Sequence, residues 1–232
     1  MADKIDYTFS EREEEGSSAG QQFGYWPGFA SSGLTIADGA DLSNFTAGDL
    51  QEAGVLPGDI DQVRKHLAKP GQPGPRGGQL ASYRNPLDIW NRDQKGDTTF
   101  HKIEWDAKSV KNMNEYVKKR YRLSAKQTYE KLNKSKNKFD DLSSAQQTIL
   151  YDLTVNAGES FIEKETTDLK NYISYDQWDK VETELSGTKW DPKDIPRHKR
   201  RARLLEKERI DLAKQSMMPD ETLIDTLGRI QP

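Results

Sequence analysis

Apolar positions along the chain recur mainly at helical spacing. Ile5 and Phe9, four residues apart, predict a first helix from Ile5 to Glu15 with Gly16 as its stop. Gly33-Leu34-Thr35-Ile36 breaks that rhythm and predicts a short strand inside a Gly- and Ser-rich stretch that also carries Phe23, Tyr25, Trp26 and Phe29, so a small β-hairpin region is expected there. Thr46 is placed to cap a helix reaching Ala53 and closed by Gly54. A second short helix is expected from Gly58 to Lys69, ending at Pro70. Gln72 to Gln79, rich in Pro and Gly, reads as a linker.

Beyond it the pattern is helical almost throughout. Val110, Met113, Val117 and Tyr121 form one stripe, and Ser124 is positioned to cap a further helix through Leu132. Ser143 and Gln146 make a capping box ahead of Ile149, Leu150 and Leu153, predicting the most apolar and central helix, which ends at Ala157-Gly158. Ser174 is expected to cap a helix from Tyr175 to Leu185 with Trp178 and Val181 inward and Gly187 as stop, and Pro196 suits the first turn of a long helix to about Lys214. The fold class that follows is α+β, mainly helical. Residues 1–75, with the short hairpin, and residues 76–232, almost wholly helical, are expected either as two lobes of one domain or as two domains.

Charge and composition narrow the chemistry. Thirty-five Lys and Arg against 38 Asp and Glu leave a net charge of -3, too balanced to require nucleic acid or an anionic membrane as partner, and no stable membrane insertion is expected. The absence of cysteine removes disulfides, thiolate metal sites and cysteine nucleophiles together. Met1 to Gly16 is acidic and lacks the basic and apolar regions of a secretory signal, so synthesis in the cytoplasm is expected, with export, if any, by another route. His66, His101 and His198 are scattered and read as surface residues rather than ligands. Arg197, Lys199, Arg200, Arg201 and Arg203 cluster on the first turns of the last helix, where the dipole disfavours cations; they read as a solvated face, or as a surface that meets an anionic polymer or holds an acidic residue in a cleft. A nucleic-acid binder built on that cluster has no base-reading motif beside it.

Carboxylates are left to carry a reaction. Glu13, Glu14 and Glu15 crowd the C-terminal turn of the first helix, where the dipole and like charges disfavour ionisation and so favour Glu15 as a proton donor. Asp38 and Asp41 follow the predicted strand, and Asp41 has Ser43 and Asn44 nearby to hold it ionised. Two carboxyls of opposite protonation across a cleft can break a glycosidic bond. Among 38 acids, however, composition alone singles out no such pair.

The order of motifs adds a resemblance. Glu15-Gly16, the aromatic and glycine loop, and Gly33-Leu34-Thr35-Ile36-Ala37-Asp38-Gly39-Ala40-Asp41-Leu42 resemble the E-G … S-G-x-T-I-G-x-G-x-D-L pattern of phage-type lysozymes, in the variant of pesticin-like muramidase toxins. Leu142 to Leu150 and Val155-Asn156-Ala157-Gly158 resemble the central helix of that family. Trp178, Val181, Leu185, Trp190, Pro196 and the Arg200-Arg201 to Glu206 stretch resemble its closing segment. The resemblance implies a lysozyme-like fold, with residues 1–75 as a small N-terminal lobe and residues 76–232 as a larger helical lobe flanking a cleft in one domain, and hydrolysis of the β-1,4 bond between N-acetylmuramic acid and N-acetylglucosamine in peptidoglycan, with no metal and no organic cofactor.

It places the general acid at Glu15 and water activation at Asp41 with Thr35, their carboxyls roughly 6.5–9.5 Å apart as an inverting mechanism requires. Ala37 stands where the pattern has glycine, and the extra acid makes Asp38 an alternative to Asp41; Glu14, then Glu13, are alternatives to Glu15. Tyr25, Trp26 and Asn156 are the candidate substrate contacts, the aromatics serving equally as lobe core. The expected partner is the glycan strand at the cell wall or periplasm of a target bacterium, reached by a phage endolysin or by an injected antibacterial effector such as a type VI secretion toxin. The latter implies an immunity protein that plugs the cleft. The competing reading is a non-catalytic peptidoglycan-binding or structural module on the same fold.

Overall fold

The computed structural model describes residues 4–9, 22–26, 32–77, 80, 103–157, 168–187 and 195–217. They form a mainly helical protein with a small antiparallel sheet. The chain divides into two compact units, Tyr7–Leu123 and, discontinuous in sequence, Met1–Asp6 with Ser124–Pro232.

In the Tyr7–Leu123 unit, β1 (Thr35–Ile36) and β2 (Ala40–Asp41) pair as a hairpin in the register Thr35 with Asp41 and Ile36 with Ala40. Single bridges widen it: Tyr25 pairs with Thr35, and Phe23 with Glu104. Leu34, Ile36, Ala40 and Leu42 alternate with the opposite face and are buried completely or nearly so. The turn sets Ala37 at φ 56° and Gly39 at φ 84°. Ala37 thus takes a left-handed conformation that glycine enters without cost. Replacing it with glycine relieves about 1–2 kcal/mol of strain, against losses of similar size in backbone entropy and in burial of one methyl group. Ala37→Gly is therefore expected within about 0.5 kcal/mol of the parent. Ala125→Gly, in a buried helix interior with no strain to relieve, is expected to cost about 1.5 kcal/mol. Denaturant midpoints of the two variants measure the difference.

Thr46 caps α1 (Ala47–Glu52) in a capping box with Asp49, as the sequence predicts. α2 (Pro57–Val63) starts one residue earlier than expected, with Pro57 in its first turn, and passes into a 3-10 turn at Arg64–His66. The expected linker is instead folded back on the hairpin. Gly74 N–H donates to the Ser43 carbonyl (2.9 Å), Gly77 N–H to the Ser32 carbonyl (3.0 Å), and Arg76 Nε to Ser43 Oγ (2.8 Å). A Cβ on Gly74 would sit 2.3 Å from the His66 carbonyl oxygen, so this glycine permits close approach rather than flexibility.

α3 (Ala107–Leu132) is continuous where the sequence suggested a fresh start at Ser124. Its cap is Asp106, whose carboxylate accepts the Lys108 N–H at 2.8 Å. Ser124 lies mid-helix because nothing before it breaks the backbone. The division between the units falls within this helix, at Leu123–Ser124.

In the other unit, α4 (Ser144–Ala157) has the predicted cap: Ser143 N–H donates to Gln146 Oε1 (3.0 Å) and Gln146 N–H to Ser143 Oγ (3.2 Å). Residues 147–154 are all buried, which makes α4 the core helix of its unit. α5 (Asp168–Ser174), α6 (Trp178–Ser186) and α7 (Ile195–Met217) follow, with α7 packing on α6 and α4. Ser174 closes α5 rather than opening the next helix; Asp176, at φ 53°, turns the chain, and Gln177 starts α6. Val181 points inward as expected and Leu185 joins it, whereas Trp178, also expected inward, is half-buried.

The N-terminal stretch belongs to this unit. Asp6 N–H donates to Thr148 Oγ1 (2.9 Å), Lys4 Nζ to the Leu142 carbonyl (3.0 Å), and Ser144 Oγ to the Lys4 carbonyl (2.6 Å), while Ile5 is buried. Of the expected first helix from Ile5 to Glu15, Tyr7 to Phe9 are helical, Ile5 and Asp6 precede the helix, and Ser10 to Glu15 lie outside the described residues.

Candidate functional site

The candidate site is built on the hairpin. Thr35 and Asp41 are cross-strand partners, so their side chains leave the same face of the sheet, opposite the apolar face that anchors it. Thr35 is buried, 5% exposed, and its backbone is fixed on both sides by exchange with Tyr25 at 2.8 and 2.7 Å.

Asp41 is held hard. Its Oδ1 accepts Ser43 N–H (2.9 Å), Ser43 Oγ–H (2.6 Å) and Gly33 N–H (3.1 Å), and Oδ2 shares the Gly33 donor at 3.1 Å. This carboxylate caps the 3-10 turn Leu42–Asn44 and closes the loop from Gly33. A Cβ on Gly33 would fall 2.5 Å from Asp41 Oδ1 and from Ser43 Cβ, so only glycine fits against it. Arg76 supports the group indirectly, through Ser43 Oγ and through Asn44 Oδ1 at 2.6 Å. Oδ2 has the greater acceptor capacity left for water, since Oδ1 takes three donors.

Asp38 sits at the tip of the hairpin, its N–H donating to Asn114 Oδ1 of α3 at 2.9 Å. Tyr25 is half-buried and Trp26 is buried at 7% exposure, placed as lobe core. Asn156 falls in the last turn of α4, in the unit that does not contain the hairpin. Glu13, Glu14 and Glu15 lie outside the described residues, so the geometry here covers the water-activating half of the expected pair.

A surface groove of about 390 Å³ runs beside the hairpin tip. Asn114 links the two, accepting from Asp38 and also lining the groove, together with Gln22, Lys111, Glu115 and Lys118 over a floor of Ala107 and Val110. Sequence reasoning missed these residues, because a polar helix face without a recognised motif reads as solvent-facing.

The basic cluster divides between the two expected readings, a solvated face and a hold on an acidic residue. Arg197 and Arg201 are buried, 9% and 0% exposed, and both close on Asp152 of α4, itself fully buried. Arg197 reaches Asp152 Oδ1 at 2.7 Å and Arg201 Nε reaches Oδ2 at 2.6 Å. Arg197, His198, Arg201, Ala202 and Leu205 follow the spacing of an inward stripe, so part of the expected solvated face is core; Lys199, Arg200 and Arg203 are the exposed members. The usable signal was Asp152, an acid inside the apolar run Ile149-Leu150-Tyr151-Asp152-Leu153.

His66 and His198 are likewise buried, at 4% each, not on the surface as expected. Burial, and secondarily Lys65, lowers His66 to about 4. Burial and then the Arg201 and Arg197 charges lower His198 to about 4, against an opposing pull from Asp152. His101 lies outside the described residues.

The chain matches no known protein family and no curated protein.

Proposed function

We propose that the chain is a muramidase that hydrolyses the β-1,4 bond between N-acetylmuramic acid and N-acetylglucosamine of peptidoglycan. The observation that carries the reading is the direct opposition of Thr35 and Asp41 on a rigid hairpin, with Asp41 fixed by Gly33 and Ser43. Those are the two residues to which the motif order assigns water activation, and a water held between a hydroxyl and a carboxylate is what an inverting displacement needs. Ala37 supports the reading too, since it adopts the left-handed turn that the motif glycine would adopt. Glu15 supplies the proton to the departing oxygen. Peptidoglycan strands are the substrate, outside the cytoplasm of a target cell, and an immunity protein is the expected partner if the enzyme is injected.

The alternative, a non-catalytic peptidoglycan-binding module, is favoured by one observation: the hydrogen bonds of Asp41 also suffice to explain it as a loop staple.

Digestion of purified peptidoglycan with mass spectrometry of the products decides between them. Fragments with muramic acid at the reducing end are expected from the parent, with activity lost by at least about a hundredfold in Glu15→Gln. Asp41→Asn and Asp38→Asn, compared at equal folded fraction, rank the two aspartates. A parent that pellets with peptidoglycan but releases no fragments at any pH establishes the module instead.

A further inference from the structure

The segment Gly71-Gln72-Pro73-Gly74-Pro75-Arg76-Gly77 sets glycines and two prolines around a single cation. Each proline fixes its own φ, and the turn that starts the segment is closed by Lys69 and Gln72, which exchange both backbone hydrogen bonds at 2.9 Å. Three donors of this stiff strap reach the loops around Asp41. Gly74 N–H bonds the Ser43 carbonyl, Arg76 Nε–H bonds Ser43 Oγ, and Gly77 N–H bonds the carbonyl of Ser32, the neighbour of Gly33. Ser43 and Gly33 are the residues that donate to the Asp41 carboxylate among the described residues. The strap therefore holds both sides of that grip from behind.

Arg76 also decides where the Ser43 proton points. A guanidinium carries donors and no acceptor, so Ser43 Oγ accepts the Arg76 N–H at 2.8 Å and turns its own hydrogen to Asp41 Oδ1 at 2.6 Å. The second prong, Nη2 on Asn44 Oδ1 at 2.6 Å, fixes the plane of the guanidinium and with it the aim of Nε. Ser43 is fully buried. Without the arginine its oxygen is a buried acceptor that has lost its donor, and its hydrogen has no fixed direction. We infer that Arg76 is a positioning residue for Asp41: through Ser43 it sets which carboxylate oxygen is saturated, Oδ1, and which is left open to water, Oδ2. The hold on the carboxylate stands apart from any reaction; its consequence for turnover rests on the proposed function.

Arg76→Ala and Arg76→Lys in the full chain test this by two readouts, turnover of purified peptidoglycan and the backbone amide resonances of Gly33 and Ser43. At equal folded fraction, Arg76→Ala is expected to lower kcat about tenfold and to leave KM within about twofold of the parent. Lysine donates to Ser43 or to Asn44 but not to both in a fixed plane, so Arg76→Lys should recover part of the loss. In a Ser43→Ala background, removing Arg76 should change kcat by less than about twofold, because the link it acts through is already gone. In the parent both amide resonances should follow protonation of the Asp41 carboxylate, and in Arg76→Ala the Gly33 response should shrink. A variant that melts at lower temperature yet keeps kcat and both amide responses makes Arg76 a stabilising contact alone and overturns the inference. An Arg76→Ala loss of equal size with and without the Ser43 hydroxyl overturns it as well. If the parent cleaves nothing, the muramidase fails, and the amide responses still decide whether Arg76 sets the carboxylate.

Discussion

Replacing Asp152 with Ala is expected to destabilise the Ser124–Pro232 unit by about 3–5 kcal/mol, enough to leave much of it unfolded at physiological temperature. The cost comes from what remains. Arg197 and Arg201 are both within hydrogen-bond reach of this one carboxylate, and deleting it leaves two buried guanidinium charges without the anion they face. Loss of the side chain's own contacts is minor by comparison, because alanine keeps the helix. The same argument predicts rescue. Asp152→Leu combined with Arg197→Met and Arg201→Met exchanges an ionic cluster for an apolar one of similar volume and should recover most of the lost stability. Denaturant unfolding of parent, single and triple variants gives the answer, and a single variant within about 0.5 kcal/mol of the parent would refute the clamp.

Stability is also expected to decline on mild acidification, before ordinary carboxylates titrate. His66 and His198 both have folded values near 4 against 6.5 for an unperturbed imidazole. A lowered value means that the folded chain prefers these rings neutral, so their contribution is complete above pH 6.5 and is lost as pH falls toward 4. Between those limits the unfolded chain takes up protons that the folded chain refuses, and unfolding at pH 5 should absorb about two protons from this pair. Allowing for partial screening, each ring accounts for about 2 kcal/mol across the window. Unfolding free energies at pH 7.5 and 4.5 measure the fall, and His66→Gln should remove roughly half of it. A flat profile over this range would mean that both rings protonate freely in place.

Local signals carried the fold furthest. Ser143 with Gln146 and Thr46 with Asp49 satisfy their own helix ends within four residues, so sequence alone locates those boundaries. Ser124 and Ser174 have the same residue type in the wrong backbone setting, one inside a continuous helix and one at a helix end, and the difference is set by neighbours rather than by serine. The hairpin was readable because Thr35, Ile36 and their flanking glycines combine strand and turn preferences. The inward arginines were legible only as one of two alternatives, because charge usually predicts solvent and the acid that reverses that rule, Asp152, lies 45 and 49 residues away. For the site, Thr35 and Asp41 were identified and prove to be opposed, while Asn114 was missed because its relation to Asp38 spans 76 residues and no local pattern announces it.

The anchoring of Lys4 to Asp6 on α4 bears on the order in which the chain matures at the ribosome. Lys4 and Asp6 find their partners at Leu142, Ser144 and Thr148, more than a hundred residues later in the chain, so these bonds wait until that stretch has been made. Tyr7–Leu123 is continuous in sequence, so it can begin to fold while the remainder is still being synthesised. Until Ser144 emerges, Ile5 is an exposed apolar side chain on a nascent polypeptide, and the interval is a window for chaperone capture.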